Sequence, residues 1–339
     1  MTKVLPAASF ADLRARLVTL PTVDITAAEA AQARQGQLTK PPGSLGRLEE
    51  LSIFMAGWRG TDRPRITRAQ AVVFAGNHGI CAQGVNPYPQ EVTAQMVGNF
   101  AAGGAAINQL CRANGAELSV IALDLDRPTG DFTQGPAMTE AEVLDAMARG
   151  AAAVDTSADV LILGEMGIGN STIAAALTRA LFGGHANDWV GPGTGSDANG
   201  LSLKARVIEA GMVKHKASLS DPLEVLAAFG GREQAAICGA VLAARAARIP
   251  VILDGFICTA AAAVLYPLGG TLDHCIVGHA SAEPGHRRLL AAIGKEPVLD
   301  LGMRLGEGSG AAVALGVLRS ALEMHNGMAT FAEAGVSGA

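Results

Sequence analysis

The stretch VLILGEMGIGNSTIAAALTRALF, residues 160–182, decides the fold. Its opening VLILGE (160–165) is an apolar run too continuous for polar alternation, which reads as a strand buried on both faces. A glycine-rich turn follows, and a helical pattern starts near Asn170. The same succession recurs outward in both directions. AVVFAG (71–76), LSVIAL (118–123), PVILDG (250–255) and CIVGHA (275–280) read as further strands, with DWVG (188–191) a weaker sixth. Helical patterns fall near 89–113, 139–153, 170–183, 202–217, 232–248 and 258–266. This alternation predicts an α/β protein with a parallel sheet flanked by helices on both faces.

The two ends differ from the middle. Residues 24–59 carry helical patterns around a KPPG turn (40–43), and 308–334 read as one or two helices, without strands. The expectation is a small helical domain assembled from 1–64 and 301–339, beside a sheet domain over 65–300. Ligands of open α/β sheets bind outside the carboxyl ends of the strands, so motifs that follow strands should share one rim.

Composition narrows the function classes. Of 339 residues, 49% are hydrophobic and only 17% charged, enough apolar material for a large core. The 42 glycines and 4% aromatics suit tight turns and close helix–sheet packing. A net charge of −5 with no long basic run speaks against nucleic acid as a partner. Five cysteines (Cys81, Cys111, Cys238, Cys258, Cys275) form no C-x-x-C pair and are odd in number, which reads as reduced thiols. Pro6, Asp12 and Arg14 interrupt the N-terminal stretch before a signal-peptide core forms. The most apolar run, 257–268, is too short to span a bilayer. A cytoplasmic protein without a membrane partner is expected.

Four glycine-rich segments carry the chemistry. GEMGIGNST (164–172) lets backbone N–H groups approach a ligand, and the helix after it favours an anion such as phosphate. Asn170 stands where a P-loop has lysine, and the G-x-G-x-x-G spacing is absent, so neither an NTPase nor a dinucleotide site fits. A packing turn without a ligand is the plain alternative. Glu165 sharpens the functional one, because a carboxylate in an apolar turn is costly without a partner or a task.

VGPGTGSDANGLSLK (190–204) ends at Lys204, placed in the first turn of the next helix, where it can neutralise a phosphate. Taken alone, Lys204 fits an ordinary surface lysine better. In GHASAEPGHRR (278–288), Ser281 and its backbone can hold phosphate oxygens, and Glu283 can cap the next helix. His279 and His286 lack a third ligand at suitable spacing, so no metal is expected. His78, in NHG (77–79), is suited to orienting a loop, although a lone histidine is more often structural. MRLGEGSGA (303–311) sets Glu307 between Gly306 and Gly308 at the entrance to an apolar helix over 311–322. From the residues alone, a helix cap and a general base with a burial-raised pKa fit Glu307 equally.

Together these segments resemble the nicotinate-nucleotide–dimethylbenzimidazole phosphoribosyltransferase family. The resemblance runs in order through LTKPPGSLGRLEELS (38–52), AGNHGI (75–80), YPQEVTAQMV (88–97), GEMGIGNST (164–172), GLSLK (200–204), PVILDGF (250–256), SAEPGH (281–286) and MRLGEGSGAA (303–312). It implies a Rossmann-like sheet with a small domain built from both termini, usually as a homodimer. It also implies a reaction without a cofactor or metal. Dimethylbenzimidazole displaces nicotinate from C1′ of nicotinate mononucleotide with inversion, giving α-ribazole 5′-phosphate. By resemblance Glu307 is the general base and Glu165 a second carboxylate. Gly167, Gly169, Asn170, Lys204 and Ser281 take the nucleotide and its phosphate, and Tyr88, Met96, Met166 and Leu305 shape the base pocket.

Two departures bear on base choice. Asn77 replaces the aspartate of the ADHG form, and Tyr88 replaces a serine at the pocket rim, with Met96 further on. Relatives that use adenine, other benzimidazoles or phenols keep such acceptors open. Two other readings remain: a nucleosidase that passes the ribose to water, and a nucleotide-binding regulator without turnover.

Overall fold

The computed structural model describes residues 4–269 and 272–337. Six strands form one sheet: β1 (Ala69–Ala75), β2 (Ala116–Ala122), β3 (Val160–Met166), β4 (Val251–Leu253), β5 (Cys275–His279) and β6 (Pro297–Leu299). Neighbouring strands all run parallel, in the order β2-β1-β3-β4-β5-β6. Three helices precede the sheet: α1 (Phe10–Leu17), α2 (Ile25–Gln35) and α3 (Arg47–Arg59). Then α4 (Glu91–Ala101) and α5 (Ala106–Asn114) link β1 to β2, and α6 (Glu140–Ala152) links β2 to β3. The β3–β4 connection contains α7 (Asn170–Phe182), α8 (Ala198–Lys214), α9 (Pro222–Phe229) and α10 (Arg232–Ala246). Next come α11 (Phe256–Ala263) before β5, α12 (Pro284–Ile293) before β6, and finally α13 (Ser309–Gly327) and α14 (Phe331–Ala334). This is the expected α/β, Rossmann-like architecture.

Period-two alternation in β3 explains why its sequence is apolar throughout. Leu161 and Leu163 enter one core layer with Ile173, Leu177 and Val241, whereas Val160 and Ile162 enter the other with Ile107, Leu315 and Leu318. Both faces are covered, so neither set can be polar. The sheet order also fixes where a ligand belongs. The chain leaves β1 toward β2 on one side and returns to β3 on the other, which opens a crevice at the carboxyl ends of β1 and β3.

Several expectations need correction. DWVG (188–191) is not a strand: a single 3₁₀ turn, Ala186–Asp188, forms there because the Asp188 carboxylate accepts the His185 N–H at 2.8 Å. The sixth strand is β6, three residues long and at the sheet edge, too short to show a pattern. The expected helix over 89–113 breaks into α4 and α5 at Gly103 (φ 78°). Helices α1 and α9 were not expected, whereas α12 follows Glu283 as the 278–288 segment suggested. For α9 the signal was present, since Asp221 before Pro222 caps the helix by accepting the N–H of Leu223. Asp197 likewise caps α8, which therefore starts at Ala198 and puts Lys204 in its second turn, not its first.

The terminal segments meet. Arg34 of α2 donates to the carbonyls of His325 (2.8 Å) and Met328 (2.9 Å), and Ser52 of α3 donates to Ala321 at 2.9 Å. Leu38 and Thr330 form an antiparallel bridge. The same α13 also packs on the central strands, so the terminal helices and the sheet share one core layer. The five cysteines are free thiols. No helix among the described residues is long and apolar enough to cross a membrane.

Candidate active site

At the switch point β3 runs into its glycine turn, and close packing explains the glycines. A Cβ on Gly164 would stand 2.5 Å from the Glu307 carbonyl carbon, and one on Gly167 only 2.7 Å from the Gly76 carbonyl oxygen. Gly169 (φ 91°) takes a left-handed conformation that starts α7. The turn is pinned from outside by Thr93, whose buried hydroxyl accepts the Ile168 N–H at 3.1 Å. Its amides are thereby presented to a cleft formed by the segments that follow β1, β3, β4 and β5.

One end of the cleft gathers Lys204, Arg304 and the Glu283 carboxylate around Gly193. Lys204 is buried, and its Nζ donates to the Gly191 carbonyl (3.1 Å) and faces the Ser171 hydroxyl (3.3 Å). Burial lowers its pKa, and the nearby Glu283 carboxylate raises it. Arg304 reaches across the mouth and donates to the Gly193 carbonyl at 2.7 Å. Ser281 lines the same end, its backbone N–H donated to His286 Nδ1 at 2.8 Å. Glu283 stands at the N-cap position of α12 but does not cap it; its carboxylate accepts the Gly193 N–H at 2.9 Å instead.

Two further carboxyl groups, those of Glu165 and Asp254, line the cleft. Glu165 is buried and accepts a hydrogen bond from the Asn170 side chain. Burial pushes its pKa well above the ordinary value, and the charges of Asp254 and Glu233 push it further. Asp254, one residue past β4, lines the cleft beside His279, whose Nε2 is 3.6 Å from Asp254 Oδ1.

Of the residues expected from the sequence, Glu165, Met166, Gly167, Gly169, Asn170, Lys204, Ser281 and Leu305 all line this cleft. Tyr88, Met96 and Glu307 do not. Tyr88 is half exposed, next to Pro87 on the rim. Met96 packs, half-buried, on the apolar layer that holds Phe100, Ile107 and Met166. Glu307 lies behind Gly306, with a φ of 66° and its Oε2 buried without a hydrogen-bond partner. Burial raises its pKa, the backbone N–H of Ile107 lowers it, and Asp254 raises it again. Nor does Glu307 cap α13: the N–H groups of Gly308 (3.2 Å) and Ala311 (2.9 Å) are accepted by Asp254. Asp254 and Arg304 escaped the sequence reading, and His279 was weighed there only as a metal ligand. An aspartate just past the strand PVIL was the available signal for the first, since that is where α/β sites gather polar groups.

No group of three or more His, Cys, Asp or Glu side chains among the described residues is arranged to hold a metal ion. An anion subsite of amides and lysine, facing buried carboxylates across a switch-point crevice, suits a sugar phosphate bearing a cationic leaving group. A family model described as phosphoribosyltransferase matches residues 20–336. The chain is 64% identical over 330 residues to the nicotinate-nucleotide–dimethylbenzimidazole phosphoribosyltransferase of Rhodobacter capsulatus, covering 97% of this chain and 98% of that one. It is 60% identical over 334 residues to the protein of the same description from Mesorhizobium japonicum, covering 98% and 99%. A crystal structure of the corresponding Thermus thermophilus protein superposes with a TM-score of 0.86 at 41% identity, covering 93% of this chain and all of that one. The chain therefore belongs to the nicotinate-nucleotide–dimethylbenzimidazole phosphoribosyltransferase family.

Proposed function

We propose that the protein transfers the ribose 5-phosphate of nicotinate mononucleotide to 5,6-dimethylbenzimidazole, releasing nicotinate and forming α-ribazole 5′-phosphate for the lower ligand of cobalamin. The observation that carries this reading is that one cleft gathers Lys204, Arg304, Ser281 and the amides of the glycine turn with the Glu165 carboxyl. Nicotinate mononucleotide presents an anionic phosphate to the first set and its ribose to the last. A nucleosidase would need a polar seat for water at C1′. The apolar lining of Val85, Pro87, Met166 and Leu305 favours a planar apolar acceptor instead.

In this mechanism the phosphate binds the amides of Gly167 and Gly169 with Lys204 and Ser281, while Asn170 and Glu165 hold the ribose. The unprotonated ring nitrogen of the benzimidazole forms the new bond to C1′. The bond from C1′ to the pyridinium nitrogen breaks, its electron pair returns to the ring, and nicotinate leaves neutral at nitrogen. Glu307 accepts the proton from the second benzimidazole nitrogen, so the product carries no extra charge. A carboxyl whose pKa burial has raised suits that task.

The cap built by α2, α3 and α13 supports assigning 1–64 with 301–339 to a small domain and 65–300 to the catalytic one. Exposed Tyr88 and Leu305 at the rim support a homodimer that covers them, and free thiols support a cytoplasmic location. Chromatography of the products from nicotinate mononucleotide with a mixture of dimethylbenzimidazole, other benzimidazoles and adenine tests the reading. Ribazole phosphate is expected. Free ribose phosphate would mean hydrolysis, and nucleotide binding without nicotinate release would mean a regulator.

A further inference from the structure

Helix α13 begins with three consecutive residues in the left-handed region, Gly306 (φ 86°), Glu307 (φ 66°) and Gly308 (φ 87°). Glycine tolerates this and glutamate does not, so the surroundings must hold Glu307 there. Its N-cap residue is Gly308, which has no side chain to satisfy the free N–H groups of the first turn. Those groups reach Asp254 instead: Oδ2 accepts from Gly308 at 3.2 Å and Oδ1 from Ala311 at 2.9 Å. Asp254 is itself buried, anchored past β4 between β3 and β5. Bare backbone on both flanks lets the turn settle onto the sheet. A Cβ on Gly164 would be 2.5 Å from Glu307, and one on Gly278 2.7 Å from the Ala311 Cα.

We propose that Asp254 is a positioning residue for Glu307, capping α13 from another strand and so fixing the direction of the Glu307 carboxylate. The proposal rests on the reading of Glu307 as the base. It adds a residue that acts through Glu307 and not on the substrate. Charge supplies an independent signature. Asp254 faces His279 on β5, Glu165 on β3, Cys258 on α11 and Glu307 before α13. When ionised, it adds to burial in raising the Glu307 pKa, while burial raises its own pKa and His279 and the α13 N–H groups lower it. Neutralising Asp254 should therefore move the acid limb of kcat to lower pH, which lost packing alone would not do.

The test compares Asp254→Asn, Glu307→Gln and the double variant with wild type over a pH series, using nicotinate mononucleotide and dimethylbenzimidazole, with melting temperatures recorded. Asp254→Asn should lower kcat by about 10- to 100-fold, as a small misplacement of a reacting group does. KM for nicotinate mononucleotide should hold, and the acid limb should move down. In the Glu307→Gln background the same substitution should cause no further loss, because both act on one step. Equal losses in both backgrounds, or wild-type kcat and acid limb in Asp254→Asn, would overturn the proposal while leaving Glu307 as the base. A fully active Glu307→Gln protein would sink the base itself, and the proposal with it. Should Asp254→Asn not fold, Asp254→Ser keeps one acceptor and carries the same expectations.

Discussion

His78 Nε2 lies 2.7 Å from Glu233 Oε1, with both side chains fully buried beneath the turn that carries Gly167. A Cβ on Gly167 would come within 2.9 Å of His78 Nε2, and one on Gly76 within 2.2 Å of Glu233 Oε2. The pair is thus the floor on which the glycine turn rests. Removing the imidazole strands a buried carboxylate, so His78→Ala should lower the unfolding free energy by about 3–5 kcal/mol. Glu233→Gln, which still meets the imidazole, should lose less. Urea denaturation of the two variants checks the order, and equal losses would contradict it.

Lys204→Ala should weaken nicotinate mononucleotide much more than the base. A charge-assisted contact is worth about 1.5–3 kcal/mol, or roughly 10- to 150-fold in KM for the mononucleotide. Lys204 is 2% exposed, so it is not the surface lysine its sequence setting suggested. An unchanged KM would leave it a purely internal tie to Gly191.

Glu307→Gln keeps shape and removes the proton acceptor, so kcat should fall by roughly 10²–10⁴-fold with substrates still bound. Burial holds the Glu307 pKa above the ordinary carboxyl value. The wild-type acid limb should accordingly lie above that range and vanish in the glutamine variant. Steady-state rates from acid to neutral pH read both effects.

Glu165→Gln should trade activity for stability. The Glu165 pKa is raised in the fold, so the native state binds the proton more tightly than the unfolded chain. The stability this contributes is full below the unfolded carboxyl pKa and is lost as pH rises through the folded one. Glutamine removes that loss, so the variant should melt higher than wild type at neutral pH and equally in acid. A variant that melts lower at every pH would show that the Asn170 contact outweighs burial.

Tyr88→Ser should change which base is preferred more than how fast the best one reacts. Apolar pockets separate similar ligands by only about 10- to 200-fold, so the shift should stay within that span. Competition between dimethylbenzimidazole and adenine for limiting nicotinate mononucleotide measures it. An unaltered ranking would confine Tyr88 to the outer rim.

Much of this was legible before any coordinates, for physical reasons. Strands buried on both faces must be apolar throughout, and β3 announces itself that way. Glycines cluster where backbones touch, so Gly164, Gly167 and Gly306 marked the crevice. Short elements were lost: β6 has three residues, too few for a period. Asp254 was hidden because its partners, Gly308 and Ala311, lie 54 and 57 residues further along the chain. His78 looked solitary because Glu233, on α10, is more remote still in sequence.

The order of synthesis gives the cap on α13 a further meaning. Emerging from the ribosome, the chain presents β1, the glycine turn after β3, Lys204 and Asp254 well before Ser281, Arg304 and Glu307. Until α13 docks, the Asp254 carboxylate lacks the N–H groups of Gly308 and Ala311. A nascent chain can therefore lay down its central strands early, yet its cleft is complete only when the last long helix closes over the sheet.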